Sequence, residues 1–164
     1  MQKKQVELDV PEYDETDNRY REIFASLDKD GSGFLDKNEF HEFMKMIGKE
    51  ARSEEIFEVI DNDRNGKIVV EEFLRYTRAC VRLFKNNDIQ TYTKIFFDAA
   101  DTDKDGHLNM KEFVKFIKYC GGKINFLNKR SQFNEWDTDG NKKISFDEVM
   151  DKIEFHIKKG TLTL

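Results

Sequence analysis

The chain is almost without proline: Pro11 is the only one in 164 residues. Everything beyond the N-terminal segment is therefore open to uninterrupted helix, and collagen-like and proline-rich classes are excluded. Cysteine is equally scarce. Cys80 and Cys120 show no zinc-type spacing and are too few for a disulfide scaffold, so both are expected as reduced, small apolar side chains buried on helices. No apolar run approaches the roughly 20 residues that span a bilayer, and no myristoylation glycine follows Met1. The expectation is a cytoplasmic monomer with no membrane anchor. A basic tract is missing too: 28 Lys and Arg are dispersed among 33 Asp and Glu for a net charge of -5, so nucleic acid is not an indicated partner. Histidine is limited to His41, His107 and His156, which have no nucleophile or metal partner at a suggestive spacing. The chain is expected not to be an enzyme.

What the sequence does have is phenylalanine, 15 residues of it, and a recurring acidic stretch. The segment Asp101-Thr102-Asp103-Lys104-Asp105-Gly106-His107-Leu108-Asn109-Met110-Lys111-Glu112 fits the calcium-loop pattern D-x-[DN]-x-[DN]-G-x5-E without a mismatch. It reads as an oxygen cage. A hard divalent cation of calcium's size takes six to eight oxygens. Asp101, Asp103 and Asp105 supply them at loop positions 1, 3 and 5, the His107 carbonyl at 7, Asn109 through a water at 9, and Glu112 with both oxygens at 12. Gly106 permits the bend, because the backbone there needs a positive φ.

Three further stretches repeat the design. In the first loop of the chain the ligand positions are Asp28, Asp30, Ser32, the Phe34 carbonyl, Asp36 and Glu39, with Gly33 at the bend. The second offers Asp61, Asp63, Asn65, the Lys67 carbonyl and Glu72, while Val69 cannot anchor a water at position 9. The fourth offers Asp137, Asp139, Asn141, the Lys143 carbonyl and Glu148, but Lys142 stands where glycine is expected and Gly140 falls two places early. Holding a non-glycine residue left-handed costs about 1–2 kcal/mol, so the fourth loop is expected to bind most weakly. By count of ligand carboxylates, which tunes affinity, the first and third loops rank tightest.

Each loop is flanked by apolar residues at helical spacing. Tyr20, Ile23, Phe24 and Leu27 lead into the first, and Phe40, Phe43, Met44 and Ile47 leave it. Ile124, Phe126, Leu127, Phe133 and Trp136 lead into the fourth. Asn86-Asn87-Asp88 interrupts the helical pattern between the second and third loops and is the best candidate for a boundary.

Helix, twelve-residue loop, helix, four times over, resembles the EF-hand superfamily in its four-handed, calmodulin-, troponin C- and calbindin-like branch. The resemblance implies an all-α fold with four hands paired into two lobes, each pair joined by a short two-strand antiparallel ladder through Leu35 with Ile68 and Leu108 with Ile144. The organisation it suggests is a flexible extension at 1–13, a first lobe at 14–85, a break at 86–88, a second lobe at 89–159 and a tail at 160–164. It further implies up to four Ca2+ ions, with Mg2+ a poorly fitting competitor, and a calcium sensor whose opened lobes take an amphipathic target helix. Phe43, Met44, Ile47, Phe73 and Tyr76 would line one groove, and Phe113, Phe116, Ile117 and Val149 the other. The alternative it leaves is a calcium buffer that binds without opening.

Overall fold

The computed structural model describes residues 15–122 and 128–159. The N-terminal extension, the tail, and the residues Ile124, Phe126 and Leu127 expected on the approach to the fourth loop lie outside these. Among the described residues, eight α-helices and four two-residue strands follow in chain order: α1 (Glu15–Leu27), β1 (Phe34–Leu35), α2 (Lys37–Met46), α3 (Ser53–Ile60), β2 (Ile68–Val69), α4 (Val70–Asn86), α5 (Ile89–Ala100), β3 (His107–Leu108), α6 (Met110–Tyr119), α7 (Lys129–Trp136), β4 (Ile144–Ser145) and α8 (Phe146–Lys158). Each acidic loop thus sits between two helices, and each contains one strand.

The strands pair antiparallel in two separate ladders. Leu35 lies opposite Ile68, and Leu108 opposite Ile144, the register expected from the sequence. All four side chains are fully buried, so each ladder fastens two loops together at the floor of an apolar core. Phenylalanine is the commonest residue in the rest of the core. Phe24 packs edge-on against Phe73, Phe40 against Phe57, Phe97 against Phe116, and Phe113 against both Phe133 and Trp136. Burying a side chain of this size contributes about 1.5–3 kcal/mol, and the edge-to-face geometry adds to it.

Helix ends follow local chemistry. Asp36 and Asn109, at loop position 9, cap α2 and α6 by accepting from the amides two and three residues on. Gly48 has φ +71 and ends α2, with the Lys49 amide bonded back to Met44. Ser53 opens α3 but does not cap it. A short 3-10 turn at Glu50–Arg52 runs straight into the helix, and Ser53 is buried.

The break at 86–88 is tight. Asn87 turns left-handed at φ +53 and Asp88 caps α5 through the Thr91 amide at 2.9 Å. Beyond it, α5 folds back on α4, where Tyr76 and Tyr92 both meet Phe96. Helix α3 packs on α5 and α6, with polar bonds between them. The Tyr119 hydroxyl donates to Glu58 Oε2 at 2.5 Å, the Arg52 guanidinium donates to the Tyr119 carbonyl, and Lys118 pairs with Glu55 at 3.4 Å. Val81 is half-buried on α4, whereas Phe84 is 85 % exposed.

The cysteines depart from expectation. Cys80 is half-buried and burial pushes its thiol up, whereas Cys120, directly after α6, is exposed although it lies with Phe116 and Ile117 on an apolar cavity.

Candidate metal centres in the four loops

Each loop gathers its carboxylates from two directions. The entering helix ends at position 1 and delivers Asp28, Asp61, Asp101 or Asp137, while the exiting helix returns Glu39, Glu72, Glu112 or Glu148 from its first turn. With the position 3 residues Asp30, Asp63, Asp103 and Asp139 they form four triads, in each of which one oxygen per residue lies within 4.8 Å of the others.

The position 12 glutamates share one wiring. Glu39 accepts from the amides of Lys29 at 2.9 Å and Asp36 at 3.1 Å, and Glu72 from those of Asn62 and Val69 at 2.8 and 3.1 Å. Glu112 and Glu148 accept in addition from the hydroxyls of Thr102 and Thr138 at 2.6 and 2.9 Å. Burial pushes Glu148 up, but the bonds from Ser145 and Thr138 outweigh it and hold its carboxyl down at about 2. The position 1 aspartates receive the position 6 amide with little variation: Gly33 to Asp28 at 2.8 Å, and Gly66 to Asp61, Gly106 to Asp101 and Lys142 to Asp137 at 2.9 Å. Burial raises the Asp61 carboxyl above its ordinary value, with the Glu72 charge acting in the same direction.

A cation fits this arrangement. Oδ1 of Asp101 and of Asp137 is buried and has no hydrogen-bond partner, a costly condition for a carboxylate oxygen unless a ligand completes it. The donors are all hard oxygens, the set that calcium takes.

The remaining sequence-derived ligands are placed unequally. At position 5, Asn65 and Asn141 bond to Asp63 and Asp139 at 2.8 Å, Ser32 donates to the Phe34 carbonyl at 3.0 Å, and Asp105 accepts from the Lys143 ammonium at 2.6 Å. At position 9, an oxygen of Asp36 and of Asn109 is engaged in helix capping, with Ser145 in the same role for α8. Val69 leaves α4 without that cap. The position 7 residues Phe34 and His107 lie in strands, and Lys67 and Lys143 directly precede them.

One requirement was not visible in the pattern. Position 4 is left-handed in every loop, at Gly31 (φ +69), Arg64 (φ +60), Lys104 (φ +58) and Gly140 (φ +73), as is position 6 at Gly33, Gly66, Gly106 and Lys142 (φ +67). The fourth loop therefore follows the same path as the others. Lys142 carries the expected strain, yet the second and third loops each carry one such residue too, Arg64 and Lys104. Only the first has glycine at both places. On backbone strain the fourth loop is level with its two predecessors.

Two apolar cavities are lined by residues of the helices that flank the loops. One of about 370 Å³ is lined by residues including Phe43, Met44, Ile47, Phe73 and Tyr76. The other, of about 400 Å³, includes Phe96, Phe116, Ile117, Trp136 and Ile153. Phe113 and Val149, expected in the second groove, are buried in the core beside it. Arg52 and Tyr92 line both cavities.

The family model for an EF-hand domain pair matches residues 17–78, 50–118 and 90–154. The chain is 34 % identical over 82 residues to "Probable calcium-binding protein CML13" of Oryza sativa subsp. japonica, covering 48 % of each chain. It is 40 % identical over 63 residues to "16 kDa calcium-binding protein" of Schistosoma mansoni, covering 37 % of this chain and 44 % of the other. Over 85 residues it is 34 % identical to "Mitochondrial adenyl nucleotide antiporter SLC25A24" of Oryctolagus cuniculus, covering 45 % of this chain and 18 % of that one. The chain spans under half the length of each of these relatives. The loop geometry, the two ladders and matches running across nearly all of the described residues agree: the chain belongs to the EF-hand family and is a calcium-binding protein.

Proposed function

We propose that the protein is a cytosolic calcium sensor, monomeric and without catalytic activity, in which cation binding in the loops opens the paired helices and offers an apolar groove to an amphipathic helix of a target protein. The observation that carries this reading is the pair of apolar cavities, about 370 and 400 Å³, lined by residues of the helices that flank the loops. Met46, Ile47 and Phe84 of the first pair of hands are already exposed, as are Phe155 and Ile157 on α8. Calcium is the ion the loops favour. Magnesium competes poorly, because its small octahedral shell does not match a seven-ligand loop. The four sites are filled from Asp28, Asp61, Asp101 and Asp137 with their loop partners.

The test is binding of an apolar fluorescent dye with and without calcium, run beside a calcium titration followed through Trp136, which packs half-buried on Phe113 and Phe116. A sensor gains dye binding as the sites fill. No gain at saturation rejects it.

A second reading has its own support. Bonds from Arg52, Glu55 and Glu58 to Lys118 and Tyr119 hold α3 against α6, which favours a calcium buffer that opens little. Saturation of the loops with unchanged dye binding is the outcome that selects it.

A further inference from the structure

Lys67 and Lys143 hold equivalent places, position 7 of the second and fourth loops, each just before the strand that joins its loop to a partner. Their side chains end differently. The Lys67 ammonium sits over the Phe34 ring, 4.0 Å from its centroid. The Lys143 ammonium instead reaches Asp105 Oδ2 at 2.6 Å.

The residues of the facing loop explain the difference. The first loop presents Phe34 at position 7 and the short hydroxyl of Ser32 at position 5, so the Lys67 ammonium meets a π face and has no carboxylate at position 5 to reach. In the third loop position 7 is His107, whose ring is folded back on the Asp105 carbonyl at 3.1 Å, and position 5 is a carboxylate. The ladder register does the rest. Because His107 lies opposite Ser145 and Leu108 opposite Ile144, Lys143 falls beside Asn109, and its long side chain reaches back along the third loop to Asp105. Asp105 is further fixed by the His107 amide at 2.9 Å on its other oxygen.

We propose that Lys143 is the residue that sets the affinity of the third loop, acting as a built-in counter-cation on a ligand carboxylate supplied by the neighbouring hand. This rests on the reading of Asp105 as a ligand of that loop. By count, the first and third loops each have four ligand carboxylates. With Lys143 in place, one charge of the third is offset before calcium arrives, while the first keeps all four. The order of filling then differs from the order of carboxylate counts: the first loop binds more tightly than the third. The same contact makes the fourth loop a participant in binding at the third, since the side chain on Asp105 and the carbonyl offered to the fourth site belong to one residue.

The test is a calcium titration of Lys143→Met, Lys143→Arg and Lys67→Met beside the wild type, followed by the amide resonances of Gly106 and Gly33. These amides donate to the position 1 aspartates of the third and first loops, so each reports its own site. Lys143 is half-exposed and its substitution leaves the backbone carbonyl in place. Lys143→Met is expected to lower the calcium midpoint at Gly106 by about threefold to tenfold, with Lys143→Arg close to wild type. Lys67→Met is expected to leave the Gly33 midpoint unchanged. The removal should also steepen the salt dependence at Gly106, because an uncompensated site attracts its ion over a longer range. An unchanged or raised Gly106 midpoint in Lys143→Met overturns the inference, as does equal tightening of the first loop by Lys67→Met. A wild-type Gly106 amide that ignores calcium rejects the reading of the third loop itself, an outcome distinct from either.

Discussion

The Tyr119 hydroxyl and the Glu58 carboxylate meet at 2.5 Å, joining the exiting helix of the third hand to the entering helix of the second. Tyr119 is almost completely buried, and its ring also carries the Lys115 ammonium at 5.3 Å. Burial and the Glu58 charge both push the phenol up, so it stays a donor throughout the working pH range. Tyr119→Phe keeps the ring and removes the bond. It should cost about 1 kcal/mol, or about 2–4 °C in Tm for a chain of this size, in thermal unfolding without calcium. An unchanged Tm would show that the bond does not hold the two pairs of hands together.

Val69 directly precedes α4, with the φ of -84 and ψ of 162 of a capping residue, yet it has no side-chain oxygen. Ser145 fills the same place before α8 and accepts from the Glu148 amide at 3.2 Å. Val69→Ser should therefore stabilise the protein by about 1 kcal/mol, read as a higher urea midpoint with unchanged slope. Val69 is exposed at its strand position, so little apolar contact is lost.

Lys142→Gly should relieve about 1 kcal/mol of left-handed strain at φ +67 while keeping the backbone amide that meets Asp137. Arg64→Gly loses in addition the long bonds from its guanidinium to the carbonyls of Ala99 and Thr102, at 3.3 and 3.4 Å. Its net gain should be smaller. Urea unfolding of the two variants without calcium checks the ranking, and a destabilised Lys142→Gly would contradict the strain.

Arg78 on α4 grips Asp17 on α1, and this hydrogen bond holds the Asp17 carboxyl below its ordinary value despite partial burial that works the other way. A depressed carboxylate pKa contributes stability that is fully present above the unfolded value of about 3.9 and lost as pH falls through the folded value. Since Arg78 is partly exposed, the contribution is about 1 kcal/mol. Between about pH 5 and pH 3 the wild type should lose that much more stability than Asp17→Asn. Parallel pH profiles for the two would remove the pair from the account.

The strands at Leu35, Ile68, Leu108 and Ile144 were legible through the EF-hand resemblance, which implies a ladder at position 8 of paired loops, and the strain at Lys142 because glycine was missing from a place that needs it. The left-handed turn at position 4 was hidden: Arg64 and Lys104 look like ordinary exposed cations, and nothing in a charged side chain announces a positive φ. The packing of α3 on α6 was hidden for a related reason. Arg52, Glu55, Glu58 and Lys118 read as solvated faces of their own helices, and only the fold brings them together. Cys120 does fall in the apolar slot counted from the loop, beside Phe116 and Ile117, but α6 ends one residue before it and leaves it exposed. Lys143 was noticed for its carbonyl, while the reach of its side chain depends on Asp105 and His107 in the opposite strand.

The two left-handed places in each loop allow glycine to be distributed in more than one way, and this chain uses three of them. The first loop has glycine at both, the second and third only at the later one, and the fourth only at the earlier one. A search template that insists on the later glycine would accept the first three loops and discard the fourth, although the Lys142 amide meets Asp137 at the same 2.9 Å as the Gly106 amide meets Asp101. What the loop demands is handedness at two points. Residue names are one spelling of that demand, and the fourth loop uses another.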